Sequence, residues 1–296
     1  MNIANKWEDY KIIDMANGQK LEKWGNIILS RPDPQIIWNN KSYPEEWKKA
    51  DAIYSRSNTG GGSWEYKKKL PVVWQVKYKE LTFNIKPMGF KHTGLFPEQA
   101  VNWDWMRDKI KNSNREIKVL NLFAYTGGAT VACLAAGASV CHVDSSKGMV
   151  TWAKENVLSS GLSERPVRYI VDYVKKFVNR EIRRENKYDA IIMDPPSYGR
   201  GANGEVWQFE DSIYDLVELC TKVLSDKPLF FLINSYTTGI SSTVLANILN
   251  LTIAKRYKGK VESGEIGLPM EKSSLVLPAG IFGRWEEVPF GDGGKK

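Results

Sequence analysis

The chain has 296 residues, with 42 lysines and arginines against 34 aspartates and glutamates, for a formal net charge of +8. A hydrophobic fraction of 42% beside 26% charged residues is that of a globular protein and excludes a mainly disordered chain. No apolar run approaches the roughly 18 residues of a membrane span, and the opening MNIANKWEDY has no basic-then-apolar secretory pattern, so a cytoplasmic, non-membrane protein is expected.

Residues 1–90 read as β-rich. Tyr10–Met15 is a strand candidate closed by Asn17-Gly18, and Asn26–Arg31 is another, stopped by Pro32 and Pro34. Ser55–Ser63 has the composition of a flexible loop. Trp74, Val76 and Tyr78 alternate with polar residues, as do Leu81, Phe83 and Ile85, which predicts a hairpin around Lys79-Glu80 with one face on a core. From about Phe96 the pattern becomes helices alternating with short apolar strands. Helices are predicted over 98–111, 128–136, 147–159, 173–185, 213–224 and 244–250. Strands are predicted over 118–123, 139–143, 167–171, 188–193 and 229–233, with the last ones inside 253–259 and 274–281. Such alternation implies βαβ units and a doubly wound parallel sheet, an α/β Rossmann-like domain over 91–296 behind a small β-rich domain over 1–90.

In such sheets ligands bind beyond the carboxyl ends of the strands, near the point where strand order reverses. The first of these strands runs into Phe123-Ala124-Tyr125-Thr126-Gly127-Gly128, where paired glycines let a ligand approach the backbone. The pyrophosphate fingerprint G-x-G-x-x-G is absent, as is the P-loop lysine. The second strand ends in Asp144, followed by Ser145 and Ser146, and an acid there can accept both hydroxyls of a ribose. The third ends at Asp172, where a carboxylate can accept from an adenine amino group. The fourth ends in Asp194-Pro195-Pro196-Ser197-Tyr198. Two prolines fix φ and donate no hydrogen bond, so the turn is rigid and aims the Asp194 carboxylate and its neighbouring carbonyls. One acid at a strand end is as readily structural as functional; three in succession after a glycine turn point to a nucleoside cofactor. A ribose acid, an adenine acid and no phosphate cradle fit S-adenosylmethionine, whose cationic sulfonium tolerates an acidic, aromatic cleft.

These segments, NLFAYTGGAT, HVDSS, VDYVKKF and DPPSY, together resemble the class I S-adenosylmethionine-dependent methyltransferases, and more narrowly the bacterial 23S rRNA methyltransferases. The segment HTGLFPEQ is similar to the one preceding the first strand in that family, which implies that Phe96 and Gln99 line the cofactor site. The resemblance covers about residues 70–285. It also implies an antiparallel last strand, placed at 274–281. Two features depart from the family: no separate RNA-binding module of the PUA type is evident, and Asn234-Ser235-Tyr236 stands where the 5-methylcytosine branch carries a nucleophilic cysteine. Carbon 5 of cytosine needs a thiolate to activate it, so a base nitrogen is the expected acceptor. Asp194 would accept from an exocyclic amine, helped by the carbonyls of Pro195 and Pro196, with Tyr198 stacking on the ring.

Cys133, Cys141 and Cys220 follow no zinc spacing and are expected as reduced core thiols. With only His92 and His142, no histidine-rich metal site is expected. Gly199–Gly204 is either a loop that orders on substrate or a plain connection. The basic clusters Lys67-Lys68-Lys69, Lys175-Lys176 and Arg183-Arg184 suit RNA or a solvated face equally. With the cofactor cleft acidic, the basic surplus is expected around the cleft mouth and the N-terminal hairpin. Competing readings are a protein or small-molecule methyltransferase, a non-catalytic RNA-binding protein of the same fold, and a nicotinamide oxidoreductase; a homo-oligomer stays open.

Overall fold

The structure, a computed structural model, describes residues 1–201 and 203–288. In chain order the elements are β1 (Asn2–Ile3), β2 (Tyr10–Ala16), β3 (Gln19–Trp24), β4 (Ile27–Pro32), α1 (Pro44–Trp47), β5 (Ala52–Arg56), β6 (Gly62–Tyr66), β7 (Trp74–Tyr78), β8 (Leu81–Ile85), α2 (Ala100–Asn112), β9 (Lys118–Leu122), α3 (Gly128–Ala135), β10 (Ser139–Asp144), α4 (Lys147–Ser159), β11 (Val167–Val171), α5 (Val174–Arg183), β12 (Ala190–Met193), β13 (Tyr198–Arg200), β14 (Val206–Gln208), α6 (Phe209–Cys220), β15 (Phe230–Ser235), α7 (Ser242–Leu251), β16 (Gly259–Pro269) and β17 (Val276–Glu287). A 3-10 turn, Pro97–Gln99, leads into α2.

The large sheet has the order β1-β16-β17-β15-β12-β9-β10-β11. Strands β15, β12, β9, β10 and β11 are parallel, and β17 is antiparallel to both β15 and β16. Every residue of β12 and β15 is buried, as expected for strands covered by helices on both faces. The chain winds outward from β9 to β11 and then crosses back to β12. The order therefore reverses between β9 and β12, which opens a crevice where Phe123 and Asp194 end their strands. All three cysteines are buried and unpaired. Among the described residues no helix is long and apolar enough to cross a membrane.

A five-stranded sheet, β2-β3-β4-β5-β6, forms the bulk of the N-terminal region. Asn17 and Gly18 both take positive φ, 54° and 71°, the pattern of a tight hairpin turn between β2 and β3. The hairpin β7–β8 does not join that sheet. It lies against α4, whose side chains replace a neighbouring strand. Asn156 Oδ1 accepts from the Asn84 amide at 2.8 Å, and Ser160 Oγ accepts from the Thr82 amide at 2.9 Å. Trp152 Nε1 donates to the Asn84 carbonyl at 2.9 Å. An edge strand's free backbone groups are thereby satisfied without exposing them for further pairing. Trp7, Tyr78, Phe83 and Trp103 form one aromatic cluster that ties this hairpin to α2, with Phe83 and Trp103 centroids 5.0 Å apart. The first residues, as β1, pair with β16 at the edge of the large sheet.

Three local expectations change. Residues 253–257 form turns, because the amides of Ala254 and Tyr257 bond back to the Leu249 and Ile253 carbonyls; the strand begins only at Gly259. Ser55–Ser63 is entered from both ends by β5 and β6. The legs around Gly199–Gly204 pair as the short hairpin β13–β14, while Ala202 within it lies outside the described residues.

Candidate active site at the carboxyl ends of the strands

The turn after β9 carries the most unusual backbone of the molecule. Phe123, Tyr125 and Gly127 take φ of 54°, 52° and 81°. For a non-glycine residue this conformation costs on the order of 1–2 kcal/mol, so neighbouring structure must hold it. The Ala124 amide donates to the Val143 carbonyl at 3.0 Å, and the Tyr125 amide donates to Asp144 Oδ2 at 2.8 Å. Asp144 Oδ1 accepts from the Ser146 amide at 2.8 Å. One strand-end carboxylate thus fixes the turn and caps the approach to α4, where Ser146 accepts from the Met149 amide. A Cβ on Gly127 would lie 2.9 Å from Ala153, and one on Gly128 would lie 2.8 Å from the Trp103 ring. Both positions require glycine for close packing.

Phe96, Gln99, Phe123, Ala124, Tyr125, Thr126, Gly128 and Asp194 line one cavity, together with Trp103, Asn121 and Asn234. Its lining holds one carboxylate, several aromatic rings and no lysine, arginine or histidine. Burial, and then the nearby Glu98, push the Asp194 carboxyl up to about 7. Side-chain amides order the floor. Asn102 donates to Gln99 Oε1 at 3.0 Å and to Asn234 Oδ1 at 2.9 Å, and Gln99 Nε2 donates to the Tyr236 hydroxyl at 2.7 Å. Asn102 Oδ1 is buried without a partner among the described residues.

Other expected residues stand outside this lining. Asp172 sits beside Asp144 on the next strand end, its amide donating to the Asp144 carbonyl at 3.1 Å. Its carboxylate accepts from the Tyr173 amide at 2.8 Å and pairs with Arg180 at 2.6 Å. Ser145 and Ser146 are exposed. Pro195 is buried and Pro196 exposed; the Pro196 carbonyl accepts from Trp207 Nε1 at 2.6 Å. Tyr198 is 53% exposed on the β13–β14 hairpin, its hydroxyl accepting from Arg200 at 2.8 Å.

A second, larger cleft lies between the N-terminal sheet and the large sheet. Leu95 and Phe96 line both cavities. Lys20, Glu22, Arg31, Lys91 and His92 form one wall of the cleft, and Glu98, Tyr236 and Glu265 belong to the other. The Phe96 ring stands between Tyr125, 5.4 Å away, and Tyr236, 5.6 Å away. Phe96 and Tyr236 therefore divide a small crevice from an open, much larger cleft. Glu22 and Arg31 are a buried pair, with Arg31 Nε 2.6 Å from Glu22 Oε2 and Tyr10 donating to Glu22 Oε1 at 2.7 Å. Burial raises the Glu98 carboxyl, which lines the cleft with Tyr236.

Two of these residues carry no signal in the motifs. Tyr236 falls in the segment where a cysteine is missing, and its aromatic ring there is the available hint. Glu98 sits inside HTGLFPEQ, between Phe96 and Gln99, and only the fold shows that it faces the other cavity. The expected basic surplus divides: Lys67 pairs with Glu65 and Lys68 with Asp51, whereas Lys20, Arg31 and Lys91 gather at the cleft. His142 is fully buried beside Thr130, its imidazole lowered to about 4 by burial. Among the described residues no group of three or more metal-ligating side chains occurs.

The donor chemistry of the smaller cavity fits S-adenosylmethionine. It presents a carboxylate and aromatic faces to a cation, offers hydrogen-bonding amides, and has no cationic side chain to meet a phosphate. Gln99, residues 123–126 and Gly128 line this cavity, whereas Gly127 and Asp144, whose two oxygens accept from the Tyr125 and Ser146 amides, stand outside the lining.

Residues 57–240 match the family of S-adenosylmethionine-dependent methyltransferases. Among solved structures, an S-adenosylmethionine-dependent methyltransferase from Agrobacterium tumefaciens is 36% identical with a TM-score of 0.90, over 96% of this chain and 92% of that one. A methyltransferase from Streptococcus mutans shares the fold at 17% identity and a TM-score of 0.72, over 95% of this chain and 76% of that one. The ribosomal RNA large subunit methyltransferase K/L of Shewanella frigidimarina is 33% identical over 145 residues, covering 48% of this chain and 20% of that protein. A second Shewanella K/L relative, from strain MR-4, is 28% identical over 60% of this chain and 26% of its own length. The chain thus spans about a fifth to a quarter of the length of these curated relatives. With the strand-end site in place and more than half of its length matched, the chain belongs to the S-adenosylmethionine-dependent methyltransferase family.

Proposed function

We propose that the protein methylates a nitrogen of a base in RNA, using the smaller cavity for the methyl donor and the larger cleft for the acceptor. The observation that carries this reading is the meeting of the two cavities at Phe96, with the half-buried Asp194 on the donor side. S-adenosylmethionine, when bound, supplies a methyl group on a cationic sulfur.

The chain's own residues do the rest. The strained 123–127 turn, fixed by Asp144, holds the nucleoside end. Asp194, once ionised, accepts a hydrogen bond from an exocyclic amine and so fixes the lone pair of the nitrogen toward the donor. Positioning of this kind is the main catalytic resource for a direct displacement. The buried aromatic wall keeps water from competing. Tyr236, which lines the cleft where Tyr198 lines neither cavity, offers its ring to the acceptor base.

The curated relatives named as ribosomal RNA methyltransferases favour RNA as the acceptor class. The absence of cysteine from both cavity linings disfavours cytosine carbon 5. The N-terminal sheet, which supplies Lys20, Glu22 and Arg31 to the cleft, serves as the substrate-holding part. With its thiols buried and unpaired, the protein works in the cytoplasm.

The test is transfer of a labelled methyl group from S-adenosylmethionine to RNA from cells lacking the gene, followed by nucleoside mass spectrometry. A new N-methylated base is expected. Label confined to protein or small molecules, or only 5-methylcytosine, would overturn the reading.

A further inference from the structure

The segment between β8 and the 3-10 turn forms a closed loop beside the cleft. The Lys86 amide donates to the Thr93 carbonyl at 3.2 Å, and the Met88 amide to the His92 carbonyl at 3.1 Å. Two side chains of the N-terminal sheet grip it from outside. Trp64 Nε1 donates to the Met88 carbonyl at 2.8 Å, and Arg31 donates to the Lys91 carbonyl at 3.0 Å. Its base rests on the donor cavity, where the Tyr125 hydroxyl lies 3.6 Å from the Met88 sulfur and the His92 ring 5.5 Å from Phe96.

The tip has two features that packing does not use. Phe90 is 64% exposed, an aromatic ring held in solvent by a loop pinned at several points. Lys91 lies in a mostly cationic corner of the cleft: Lys20, Arg56 and Arg31 oppose its charge and only Asp33, already paired with Lys20, favours it. Lys20 is answered by Asp33 at 3.4 Å and Arg31 by Glu22, but neither Lys91 nor Arg56 forms an ion pair among the described residues. Burial first, and then this repulsion, lower the Lys91 ammonium to about 8 in spite of Asp33.

We propose that Phe90 and Lys91 form a subsite for the nucleotide next to the methylated one in single-stranded RNA, Phe90 stacking on its base and Lys91 taking its phosphate. The inference rests on the RNA reading above and deepens it. An exposed aromatic beside an unpaired cation is the arrangement that holds a single strand, because every base has a π-face and every linkage a charge. A duplex keeps its bases stacked and cannot offer one to Phe90. The subsite adjoins the divide through His92 and Phe96, so a strand held there leads its neighbouring base into the cleft.

The test is fluorescence anisotropy of a 5′-labelled mixed-sequence 12-nucleotide RNA, single-stranded and as a duplex, with the full chain and its Phe90→Ala, Lys91→Ala and Lys91→Gln variants. Lys255→Ala, a surface lysine elsewhere, is the charge control. Calorimetry with S-adenosylmethionine checks that each variant keeps the donor site. We expect each of the loop variants to bind the single strand about tenfold more weakly. For the two lysine variants the salt dependence should be shallower by roughly 0.7, and Lys255→Ala should match the wild type. Wild-type binding to the single strand that all three loop variants retain would overturn the subsite while leaving RNA as substrate. Preference for the duplex would also overturn it. No wild-type binding to either RNA, together with methyl transfer to protein alone, would overturn the subsite and the RNA reading together.

Discussion

The two cavities that meet at Phe96 are built in opposite ways. The donor cavity comes mainly from two contiguous segments, 95–103 and 121–129, with single residues added from β12 and β15 and the turn at Asp194. Its shape is set by backbone: three left-handed φ values in five residues, glycines packed against Ala153 and Trp103, and a carboxylate that bonds to main-chain amides. The acceptor cleft is assembled from side chains far apart in sequence, among them Lys20, Arg31, His92, Glu98, Tyr236 and Glu265, most of them ionisable. A rigid, uncharged-to-acidic pocket suits one unvarying reagent. A polarised cleft, with Lys20, Arg31 and Lys91 toward the N-terminal sheet and Glu98 and Glu265 on the other wall, suits an acceptor with a phosphate at one end and an amine at the other. The contrast can be broken experimentally by perturbing each side and asking whether donor binding or acceptor turnover responds.

Asp194 should give the largest effect. It stands at the donor side but acts on the acceptor, so Asp194→Asn should lower kcat by on the order of 10²–10³ with little change in S-adenosylmethionine affinity by calorimetry. The wild-type rate should rise with pH and level off above about 7, as the carboxyl pushed up to that value ionises. Stability should move the other way. The folded state holds a proton that the unfolded chain releases near pH 4, so stability falls as pH rises from there to about 7 and stays reduced above it. The variant escapes that loss. At pH 8 its Tm should exceed the wild type's by a few degrees, and near pH 4 the two should coincide. Full activity in Asp194→Asn, or a flat pH profile, would remove this carboxylate from the chemistry.

Gly127→Ala should act on the donor side instead. The new Cβ meets Ala153 at 2.9 Å from a φ of 81°, at a cost of roughly 1–3 kcal/mol. Calorimetry should show weakened S-adenosylmethionine binding and a thermal scan a lowered Tm, with RNA binding by anisotropy preserved. Loss of RNA binding without loss of donor binding would reverse the assignment of the two cavities.

Tyr236→Phe tests the divide itself. It keeps the ring facing Phe96 but removes the hydroxyl that accepts from Gln99. With the Gln99 amide left without its acceptor in a buried site, kcat should fall about tenfold, while KM changes little. An unchanged kcat would make Tyr236 a packing residue.

The same contrast explains what could be read from the chain alone. The parallel strands are short apolar runs ending in Asp144, Asp172 and Asp194, and each such end is a local pattern; hence the crevice and most of its lining follow from the sequence. Strand β16 does not, because KVESGEIG mixes glycine, serine and glutamate and is held by its long pairing with β17 rather than by its own propensity. The hairpin β7–β8 was legible as a hairpin, but its partner was not, since Asn156, Ser160 and Trp152 satisfy its edge from a helix more than 65 residues away. Glu98 and Tyr236 become neighbours only through the crossing of β15 past the 3-10 turn. A motif reports where a backbone turn sits, whereas a cleft reports which distant side chains the fold brings together.

Tyr198 should give the smallest effect, and the two kinds of information conflict there. By motif it is the stacking residue of DPPSY; by position it is half in solvent, its hydroxyl bonded to Arg200 on a hairpin outside both linings. If position governs, Tyr198→Ala should change kcat and KM by less than about twofold, within the range of an ordinary surface substitution, while Tyr236→Ala, which removes the ring at the divide, should raise KM at least tenfold by loss of base stacking. If instead Tyr198→Ala carries the larger loss, the β13–β14 hairpin must swing over the cleft when the acceptor binds. The glycines at 199, 201 and 204 would then act as its hinge, and the acceptor site would be completed only in the complex.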